Sequence, residues 1–454
     1  MTVAIRRVLI ANRGEIALRI IHAAQALGIE TVLATSQADR DSLPARMADR
    51  ALCIGPAQSS ESYLKIDALL TAALESGCDA LHPGYGFLAE SEQLAEACAK
   101  EGIIFVGPTP DQILRMGNKL EARALARQAG VPMLPGSEKV NDFEQAMTIA
   151  DGIGYPVMLK AAAGGGGRGM KIVPRREDMQ RLFAAASGES RAAFGDDTLY
   201  LERYISNARH VEVQILGDSH GHVIHLGERD CSLQRRHQKV VEESPAPLLP
   251  EALRQSIRDA ALKLGRGIAY QNAGTVEFIV DGDIGEFYFL EMNTRIQVEH
   301  PVSEMVSGID LVQEQFRVAA GEALRFTQKD VVLRGHAIEC RINAEVPSEG
   351  FRPSPGLITV WQPPQGPNIR LDSHCYAGYR VPIYYDSMLA KLIVYGSDRN
   401  EAIQRMRSAL ARFQVEGIGT TLPFLRYAMA QEDFVAARVN TALVEKMINE
   451  MAAK

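Results

Sequence analysis

The sequence lacks the features that mark several large classes of protein. No apolar run approaches the roughly 20 residues that a membrane-spanning helix needs, so we expect no membrane segment. The six cysteines never occur as Cys-x-x-Cys, which argues against a zinc ribbon or a thioredoxin-like redox pair and favours reduced thiols in a cytosol. Basic residues number 49 against 56 acidic ones, a net charge of -7, so the broad basic surface of a nucleic-acid-binding protein is absent.

What is present indicates a globular, cytoplasmic protein of several domains. The chain has 454 residues, of which 46% are hydrophobic and 23% are charged, a balance typical of folded domains. At about 150 residues per domain, this length predicts roughly three domains. The N-terminal stretch has an apolar run after two arginines, but Glu15 and the helical pattern behind it do not resemble a signal peptide.

The first part of the chain predicts a parallel α/β domain. Residues 8–11 indicate a buried strand, apolar residues at helical spacing follow, and Gly28 precedes a second strand, so this segment is a βαβ unit. The pattern recurs up to about residue 115. An apolar stripe from Ile113 to Leu125 then predicts one helix that leads into a Pro-rich linker.

Four segments follow from these signals. We expect a parallel α/β domain over residues 1–115, a helical linker over 116–131, a small α/β domain over 132–203 and a larger sheet-rich α+β domain over 204–454. Turn residues at 217–221 and 281–285 predict hairpins in the last domain, and residues 400–454 are expected to be mostly helical.

A glycine run between two apolar stretches predicts a loop that covers phosphates. Lys160 ends the first stretch, and Gly164, Gly165, Gly166 and Gly167 follow it. Glycines let backbone N–H groups approach phosphate oxygens. The run contains a literal G-x-G-x-x-G, but a dinucleotide fingerprint must open a helix, whereas an apolar strand follows here. The alternative is an ordinary glycine-rich surface loop.

A predicted hairpin places two carboxylates opposite each other. If the strands TVEFIV and EFYFLEMN are symmetric about Ile284, Glu277 faces Glu291, which destabilises a sheet unless a cation lies between them. Magnesium is the natural candidate because it prefers oxygen ligands and bridges phosphates. Asn293 lies on the same face as Glu291 and could add a third oxygen. A solvated polar face with a shifted register is the alternative.

The same odd-numbered parity continues beyond this hairpin and predicts a polar row along one strand. Arg295, Gln297 and Glu299 extend the row, and the aromatic stretch before it predicts that the strand is central in its sheet and that the row lines a cleft. Arg295 offers a planar donor pair for a carboxylate or bicarbonate, and Glu299 is a candidate general base. A surface strand would show the same periodicity.

A third cluster supplies local positive charge. His210, Gln234, His237 and Lys239 stand among alternating apolar residues, and two arginines lie beside them. For each histidine, hydrogen bonding within a folded sheet is the alternative to a role in chemistry.

Taken together, seven segments resemble the biotin carboxylases of the ATP-grasp superfamily over essentially the whole chain. They occur in order, and they are ANRGEIALRI, HPGYGFLAE, GGGGRGM, ERDCSLQRRHQK, EMNTRIQVEHPV, ECRINAE and SPGLIT. The resemblance implies an ATP-grasp fold with a Rossmann-like parallel N-terminal domain, a small mobile lid and a larger sheet-rich C-terminal domain. It also implies a ligase that uses ATP to convert bicarbonate to carboxyphosphate and passes the carbon dioxide to biotin.

The resemblance further implies a role for individual residues. It assigns Lys119, Lys160 and the glycine run to the phosphates of ATP, Glu202 and Ile205 to the adenine, and His210, Gln234 and His237 to the ribose and phosphates. It assigns Mg²⁺, with Mn²⁺ as an alternative, to Glu277, Glu291 and Asn293. It assigns bicarbonate to Lys239, Arg295, Gln297 and Val298, its deprotonation to Glu299, and biotin to Arg341 and Tyr85.

The expected partners follow from the same resemblance. The sequence contains no Met-Lys-Met biotinylation signal and no carboxyltransferase segment, so we expect the biotin on a separate biotin carboxyl carrier protein and the transfer on separate carboxyltransferase subunits. We expect a homodimeric subunit of acetyl-CoA carboxylase in fatty acid synthesis. The open alternatives are the same subunit of a two-chain pyruvate or other acyl-CoA carboxylase, another ATP-grasp ligase, and a silent nucleotide-binding regulator.

Overall fold

The computed structural model describes residues 2–137, 139–140, 142–161 and 170–452. Gly164, Gly165, Gly166 and Gly167, which are predicted to cover phosphates, lie outside the described residues. All six cysteines are unpaired, in line with the expectation of reduced thiols. Among the helices of the described ranges, none combines the length and the hydropathy of a membrane span.

The N-terminal part is the predicted parallel α/β structure. Its five strands pair in parallel in the order β3-β2-β1-β4-β5, and helix α1 packs its apolar stripe, including Ile16 and Ile20, against the sheet. The strands are β1 Arg7–Ile10, β2 Glu30–Ser36, β3 Arg50–Gly55, β4 Ala80–His82 and β5 Ile104–Phe105. The helices are α1 Gly14–Ala26, α2 Leu43–Met47, α3 Ile66–Glu75 and α4 Glu92–Lys100.

Two helices replace the single helix predicted after this sheet. They are α5 Pro110–Gly117 and α6 Lys119–Gln128. The break falls at Asn118, whose side chain caps α6 by accepting hydrogen bonds from the backbone N–H groups of Leu120 and Glu121. The prediction of one continuous apolar stripe was therefore wrong, and Leu114 and Leu120 are exposed.

A small antiparallel sheet follows, in the order β7-β6-β8. Its strands are β6 Val157–Ala161, β7 Met170–Val173 and β8 Leu199–Arg203, and its helices are α7 Phe143–Ile153 and α8 Met179–Phe194. Lys160 pairs with Met170 across β6 and β7, so strands lie on both sides of the glycine run as predicted. An apolar cluster that includes Leu159 and Leu201 forms the core of this part.

The largest element is an eight-stranded antiparallel sheet in the order β13-β12-β9-β10-β11-β14-β21-β19. Its strands are β9 Ala208–Gly217, β10 Val223–Arg235, β11 Gln238–Ser244, β12 Asn272–Asp281, β13 Phe287–Asn293, β14 His336–Asn343, β19 Ile369–Ser373 and β21 Met388–Gly396. Short strands pair two by two beside it: β15 Glu345–Val346, β16 Arg352–Pro353, β17 Gly356–Leu357, β18 Val360–Gln362, β20 Arg380–Val381 and β22 Gln414–Glu416. Both predicted hairpins, β9–β10 and β12–β13, are present.

Helices cover the large sheet and complete the mixed α/β architecture. They are α9 Glu251–Gly267, α10 His300–Ser307, α11 Leu311–Ala319, α12 Arg399–Arg412, α13 Leu422–Ala430, α14 Glu432–Val435 and α15 Leu443–Ala452. The helical prediction for the last part of the chain is confirmed. Its helices bury residues such as Met406 and Phe424 against Leu392 of β21, which leaves the other face of the strands free to carry polar groups.

Candidate active site

Three carboxylates lie side by side across neighbouring strands of the large sheet. Glu277 of β12 pairs with Glu291 of β13 on one side and with Glu212 of β9 on the other. The predicted opposition of Glu277 and Glu291 is confirmed. Glu212 escaped the sequence analysis because its strand comes much earlier in the chain, and no local pattern shows which strand lies beside β12. We call Glu212, Glu277 and Glu291 the carboxylate row.

Cations from other strands stabilise this row. The Nζ of Lys239 lies 2.6 Å from Glu212 Oε2 and 3.0 Å from Glu277 Oε1. Arg229, fully buried in β10, donates from Nε to Glu212 Oε1 at 2.6 Å. Burial would raise the pKa of Glu277, but Lys239 and His210 outweigh it and hold that pKa well below its usual value. Glu277 is therefore ionised.

The outer end of the row suits a divalent cation. Loss of hydration together with the charge of Glu277 raises the pKa of Glu291, and a cation bound by the two carboxylates would relieve their repulsion. Asn293 donates from Nδ2 to Glu277 Oε1 at 2.9 Å, and its Oδ1, which accepts a hydrogen bond from Arg295, has a second lone pair for a cation. At the inner end, His210, Glu212 and Glu277 offer ligand atoms within 4.8 Å of one another. The donor set is thus rich in the oxygen that magnesium prefers.

Glu299, a buried carboxylate outside the carboxylate row, lies between two cations. Its Oε1 accepts a hydrogen bond from Lys239 Nζ at 2.6 Å, and its Oε2 accepts one from Arg341 Nη2 at 2.8 Å. Burial opposes ionisation, yet Lys239 and Arg341 hold the pKa of Glu299 well below its usual value. Lys239 therefore connects Glu299 to the carboxylate row, and a proton acceptor is available beside the candidate cation site.

Two further carboxylates lie near Arg341, and one of them contacts it. Its Nε donates to Glu242 Oε1 at 2.5 Å, and burial raises the pKa of Glu242 to about 7 in spite of that contact. Glu339 faces Glu242 across β11 and β14 and is fully buried, and burial raises its pKa well above the usual value. Glu242 and Glu339 were also missed by the sequence analysis, since their strands come from distant parts of the chain and no local pattern shows that they pair.

Arg295 and Gln297 reach the same centre by a different route from the one predicted. Strand β13 ends at Asn293 and is the edge strand of the sheet, so the predictions of a continuous polar strand and of a central position were wrong. The chain leaves the sheet and turns into α10, where Pro301 occupies the first helical turn. Arg295 nevertheless donates to Gln297 Oε1 at 2.9 Å and to Asn293 Oδ1 at 3.1 Å.

The residues predicted to meet the phosphates and the adenine lie on the small sheet and on the segments next to it in the chain. Lys160 Nζ lies 2.5 Å from Glu202 Oε2, and Arg123 contacts the other oxygen of this buried carboxylate. Burial opposes its charge, but Lys160 and Arg123 keep the pKa of Glu202 below its usual value. Burial lowers the pKa of Lys119, the first residue of α6. Ile205 is buried in an apolar cluster.

The third predicted group is only partly assembled. His210 is buried, with Nε2 3.1 Å from Glu277 Oε2, and Gln234 is buried opposite Lys239 in the β10–β11 ladder. His237, by contrast, is exposed in the hairpin turn, where it and Arg236 have φ values of 67° and 48°. Among the described residues, therefore, His210 and Gln234 come together with the site, while His237 lies at its margin.

Fold and site define a class of protein, and comparison with family models agrees. Residues 118–327 match the ATP binding domain of the carbamoyl-phosphate synthase L chain. Residues 4–113 match the biotin carboxylase N-terminal domain, and residues 339–446 match the biotin carboxylase C-terminal domain. The molecule is an ATP-grasp ligase.

Relatives over the full length narrow this class. The chain is 52% identical to the biotin carboxylase of Nostoc sp. over 97% of its own length and 99% of the relative's. It is 50% identical to a pyruvate carboxylase subunit from Methanothermobacter thermautotrophicus, over 97% of this chain and 89% of that one. The chain belongs to the biotin carboxylase family.

Solved structures agree with this assignment. The biotin carboxylase-βγ-ATP complex from Campylobacter jejuni superimposes with a TM-score of 0.94 at 50% identity, covering 98% of this chain and 99% of that one. The biotin carboxylase domain dimer of the Hydrogenobacter thermophilus 2-oxoglutarate carboxylase, in complex with MgADP, ADP and bicarbonate, has a TM-score of 0.92 at 47% identity, with 97% of each chain covered.

Proposed function

We propose that this protein carboxylates biotin held on a separate biotin carboxyl carrier protein, using ATP, magnesium and bicarbonate. The observation that carries the proposal is the buried Glu299, bound by Lys239 and Arg341 and connected through Lys239 to the carboxylate row. A base, two cations and a candidate cation site therefore lie together. The solved relative that contains MgADP and bicarbonate supports this set of ligands.

In the first half-reaction, ATP is bound between the small and large sheets. Lys119 and Lys160 would neutralise its phosphates, and the backbone N–H groups of glycines 164–167 would donate hydrogen bonds to them. Glu202 and Ile205 would bind the adenine. His210, Gln234 and His237 would contact the ribose and phosphates. Glu277, Glu291 and Asn293 would hold magnesium, with manganese as a substitute, which supplies positive charge for phosphoryl transfer.

Bicarbonate would bind beside Glu299. Lys239, Arg295, Gln297 and the backbone of Val298 would orient it, and Glu299 would take its proton. The deprotonated oxygen of bicarbonate then forms a bond to the γ-phosphorus of ATP, while the bond between that phosphorus and ADP breaks, which yields carboxyphosphate. Lys239 already lies 2.6 Å from Glu299, so the base and the anion-binding cation share one location.

In the second half-reaction, carboxyphosphate would separate into phosphate and carbon dioxide. The released phosphate would take the proton from the ureido nitrogen of biotin, Arg341 would stabilise the resulting negative charge, and that nitrogen would then form a bond to the carbon dioxide. Arg341 is suited to this role because its guanidinium is permanently charged and is oriented by Glu242 and Glu299. Tyr85, half-buried nearby, would contact the biotin.

The domain limits belong to the same proposal. We assign 1–115 to the N-terminal domain, 116–131 to a helical linker, 132–203 to the lid and 204–454 to the C-terminal domain. The strand bounds support the main division, since β8 of the small sheet ends at Arg203 and β9 of the large sheet begins at Ala208.

We further infer that the protein is a cytoplasmic, homodimeric subunit of acetyl-CoA carboxylase that works with carboxyltransferase subunits. Relatives named biotin carboxylase, matched over nearly their whole length, support this setting. The pyruvate carboxylase relative at 50% identity keeps a second candidate open, because the final acceptor does not contact the groups described above.

The deciding measurement is ATP cleavage by the purified protein with magnesium and bicarbonate, with and without free biotin. We expect cleavage that biotin stimulates only when bicarbonate is present. A protein that binds ATP but responds to D-alanine or ammonia instead of biotin would be a different ATP-grasp ligase, and one that binds ATP without any turnover would be a silent relative. Assaying the product with separate acetyl-CoA and pyruvate carboxyltransferases would then identify the acceptor.

A further inference from the structure

A buried lysine that has no assigned role, Lys391, contacts the segment that carries Glu299 and a carboxylate of the N-terminal domain. Lys391 of β21 is 0% exposed, and a lysine so deeply buried needs partners for its charge. Its Nζ lies 3.2 Å from Glu15 Oε1 of α1 and 3.7 Å from Asp372 Oδ2 of β19. It also donates a hydrogen bond to the backbone oxygen of Val298 at 2.9 Å.

The contact with Val298 matters because of where that residue lies. Residues 294–299 connect β13 to α10 without regular secondary structure, so no strand ladder satisfies their backbone groups. Lys391 holds the carbonyl of the peptide that joins Val298 to Glu299. His300 Nδ1, 2.7 Å from the Gln297 oxygen, holds the preceding carbonyl. Lys391 from a distant strand and the neighbouring His300 therefore fix the backbone from which the Glu299 side chain starts.

Lys391 and Arg341 act on the same residue from adjacent strands. They face each other in the β14–β21 ladder, so both side chains emerge on one face of the sheet. Arg341 binds the carboxylate of Glu299, whereas Lys391 binds the backbone carbonyl immediately before it. One cation thus orients the side chain and the other orients the main chain.

On its other side Lys391 reaches the N-terminal domain. The Tyr85 hydroxyl donates a hydrogen bond to Glu15, the same carboxylate that pairs with Lys391. The Lys391 Nζ lies 5.9 Å from the centre of the Tyr85 ring. The lysine therefore links the segment that carries Val298 and Glu299 to a tyrosine of the first domain.

We propose that Lys391 is a positioning residue for bicarbonate: it fixes the Val298–Glu299 peptide and, through Glu15, aligns Tyr85 with it. This inference rests on the proposed function, because it assumes that bicarbonate binds at Val298 and loses its proton to Glu299. In this role Lys391 contacts neither bicarbonate nor biotin. Its effect is to hold the bicarbonate site and the biotin side of the pocket in a fixed position relative to each other.

The test is the Lys391→Met variant of the full-length protein, assayed for ATP cleavage at varied bicarbonate, ATP and biotin concentrations. Methionine keeps the length and packing of the side chain but removes the charge-assisted hydrogen bond. We expect the KM for bicarbonate to rise about tenfold or more, with the KM for ATP unchanged, since a hydrogen bond from a charged group is lost at one subsite only. Lys446→Met, which removes a half-exposed lysine from α15, is the matched control and should change neither constant.

A second variant guards against a folding defect. Lys391→Met combined with Glu15→Gln removes both charges of the buried pair, while Asp372 keeps its two hydrogen bonds from Arg370, and the same rise in the KM for bicarbonate is expected. An unchanged KM for bicarbonate in either folded variant, equal rises for ATP and bicarbonate, or failure of both variants to fold would overturn the positioning role. An inactive wild-type protein would refute the proposed function together with this inference, whereas an active one leaves the two outcomes distinguishable.

Discussion

The two ends of the site differ in the sign of their unbalanced charge. On the small sheet, one carboxylate, Glu202, contacts both Lys160 and Arg123, so cations outnumber anions. We call these three residues the cation-rich group. In the carboxylate row the balance is reversed, because Glu212 and Glu277 share a single lysine, Lys239, with the nearby Glu299.

This difference indicates what each end binds. A group of buried charges is stable only when its net charge is small, so a surplus of one sign predicts a ligand of the other sign. The cation-rich group is suited to phosphates, and the carboxylate row is suited to a divalent cation. Where the two ends meet, a phosphate and a metal ion would compensate each other as well as the protein.

The largest effect is expected at Glu299, the candidate base, which lies outside both ends. Glu299→Gln should lower kcat for bicarbonate-dependent ATP cleavage by about 100-fold to 10,000-fold, because it removes the base but keeps the shape. ATP affinity, measured by calorimetry, should stay the same, since Glu299 belongs to neither end. Loss of nucleotide binding in the folded variant would contradict the role of Glu299. Glu322→Gln, at an exposed position, is the control.

In the carboxylate row we expect a smaller effect. Glu291→Gln keeps the side-chain shape and removes one negative charge, so we expect the magnesium concentration for half-maximal activity to rise about tenfold. Titration of activity with magnesium at saturating bicarbonate measures this. An unchanged magnesium requirement would mean that Glu291 is not a ligand and that the surplus of carboxylates has another explanation.

A substitution in the cation-rich group should affect the KM for ATP and leave the magnesium requirement unchanged. Lys160→Met leaves Glu202 with Arg123 alone, and we expect the KM for ATP to rise about tenfold while the requirement for magnesium and the KM for bicarbonate are unchanged. Steady-state kinetics at varied ATP concentration gives the result. A rise in the magnesium requirement equal to that of Glu291→Gln would show that the two ends cannot be separated.

The smallest effect concerns stability and pH. Burial raises the pKa of Glu242 from 4.5 to about 7, so the folded state holds this proton more tightly than the unfolded state. Its contribution to stability is therefore present below pH 4.5 and is lost as the pH rises through about 7. In Glu242→Gln the free energy of unfolding should therefore fall less over this pH range, by on the order of 2 kcal/mol. Unfolding midpoints of both proteins at pH 5, 6 and 7 would show the flatter profile, and parallel profiles would contradict it.

The hairpin shows how far local sequence reaches. The opposition of Glu277 and Glu291 follows from a short turn between two strands of period 2, and the register agrees. The polar row beyond it was placed on a continuous central strand, and this was wrong because the edge strand ends at Asn293 and the chain turns into α10. Arg295 and Gln297 still converge, because hydrogen bonds rather than a strand hold them.

Other residues carried no local signal at all. Glu212, Glu242 and Lys391 have partners on strands distant in the chain, which no local pattern can indicate. Which strand lies beside which depends on the packing of the whole sheet, and that order is what brings Lys391 to Val298 and Glu212 to Glu277.

Sequence alone was enough to predict the parallel first domain, the glycine run between two strands and the hairpin with its facing carboxylates, since each depends on side-chain periodicity and turn residues within a short stretch. Its motifs also indicated the family. The three-dimensional fold was needed to show which charges balance one another, because electrostatic partners are chosen by proximity in space. The sheet order of eight strands gathers acids and bases from the length of the chain into one buried site.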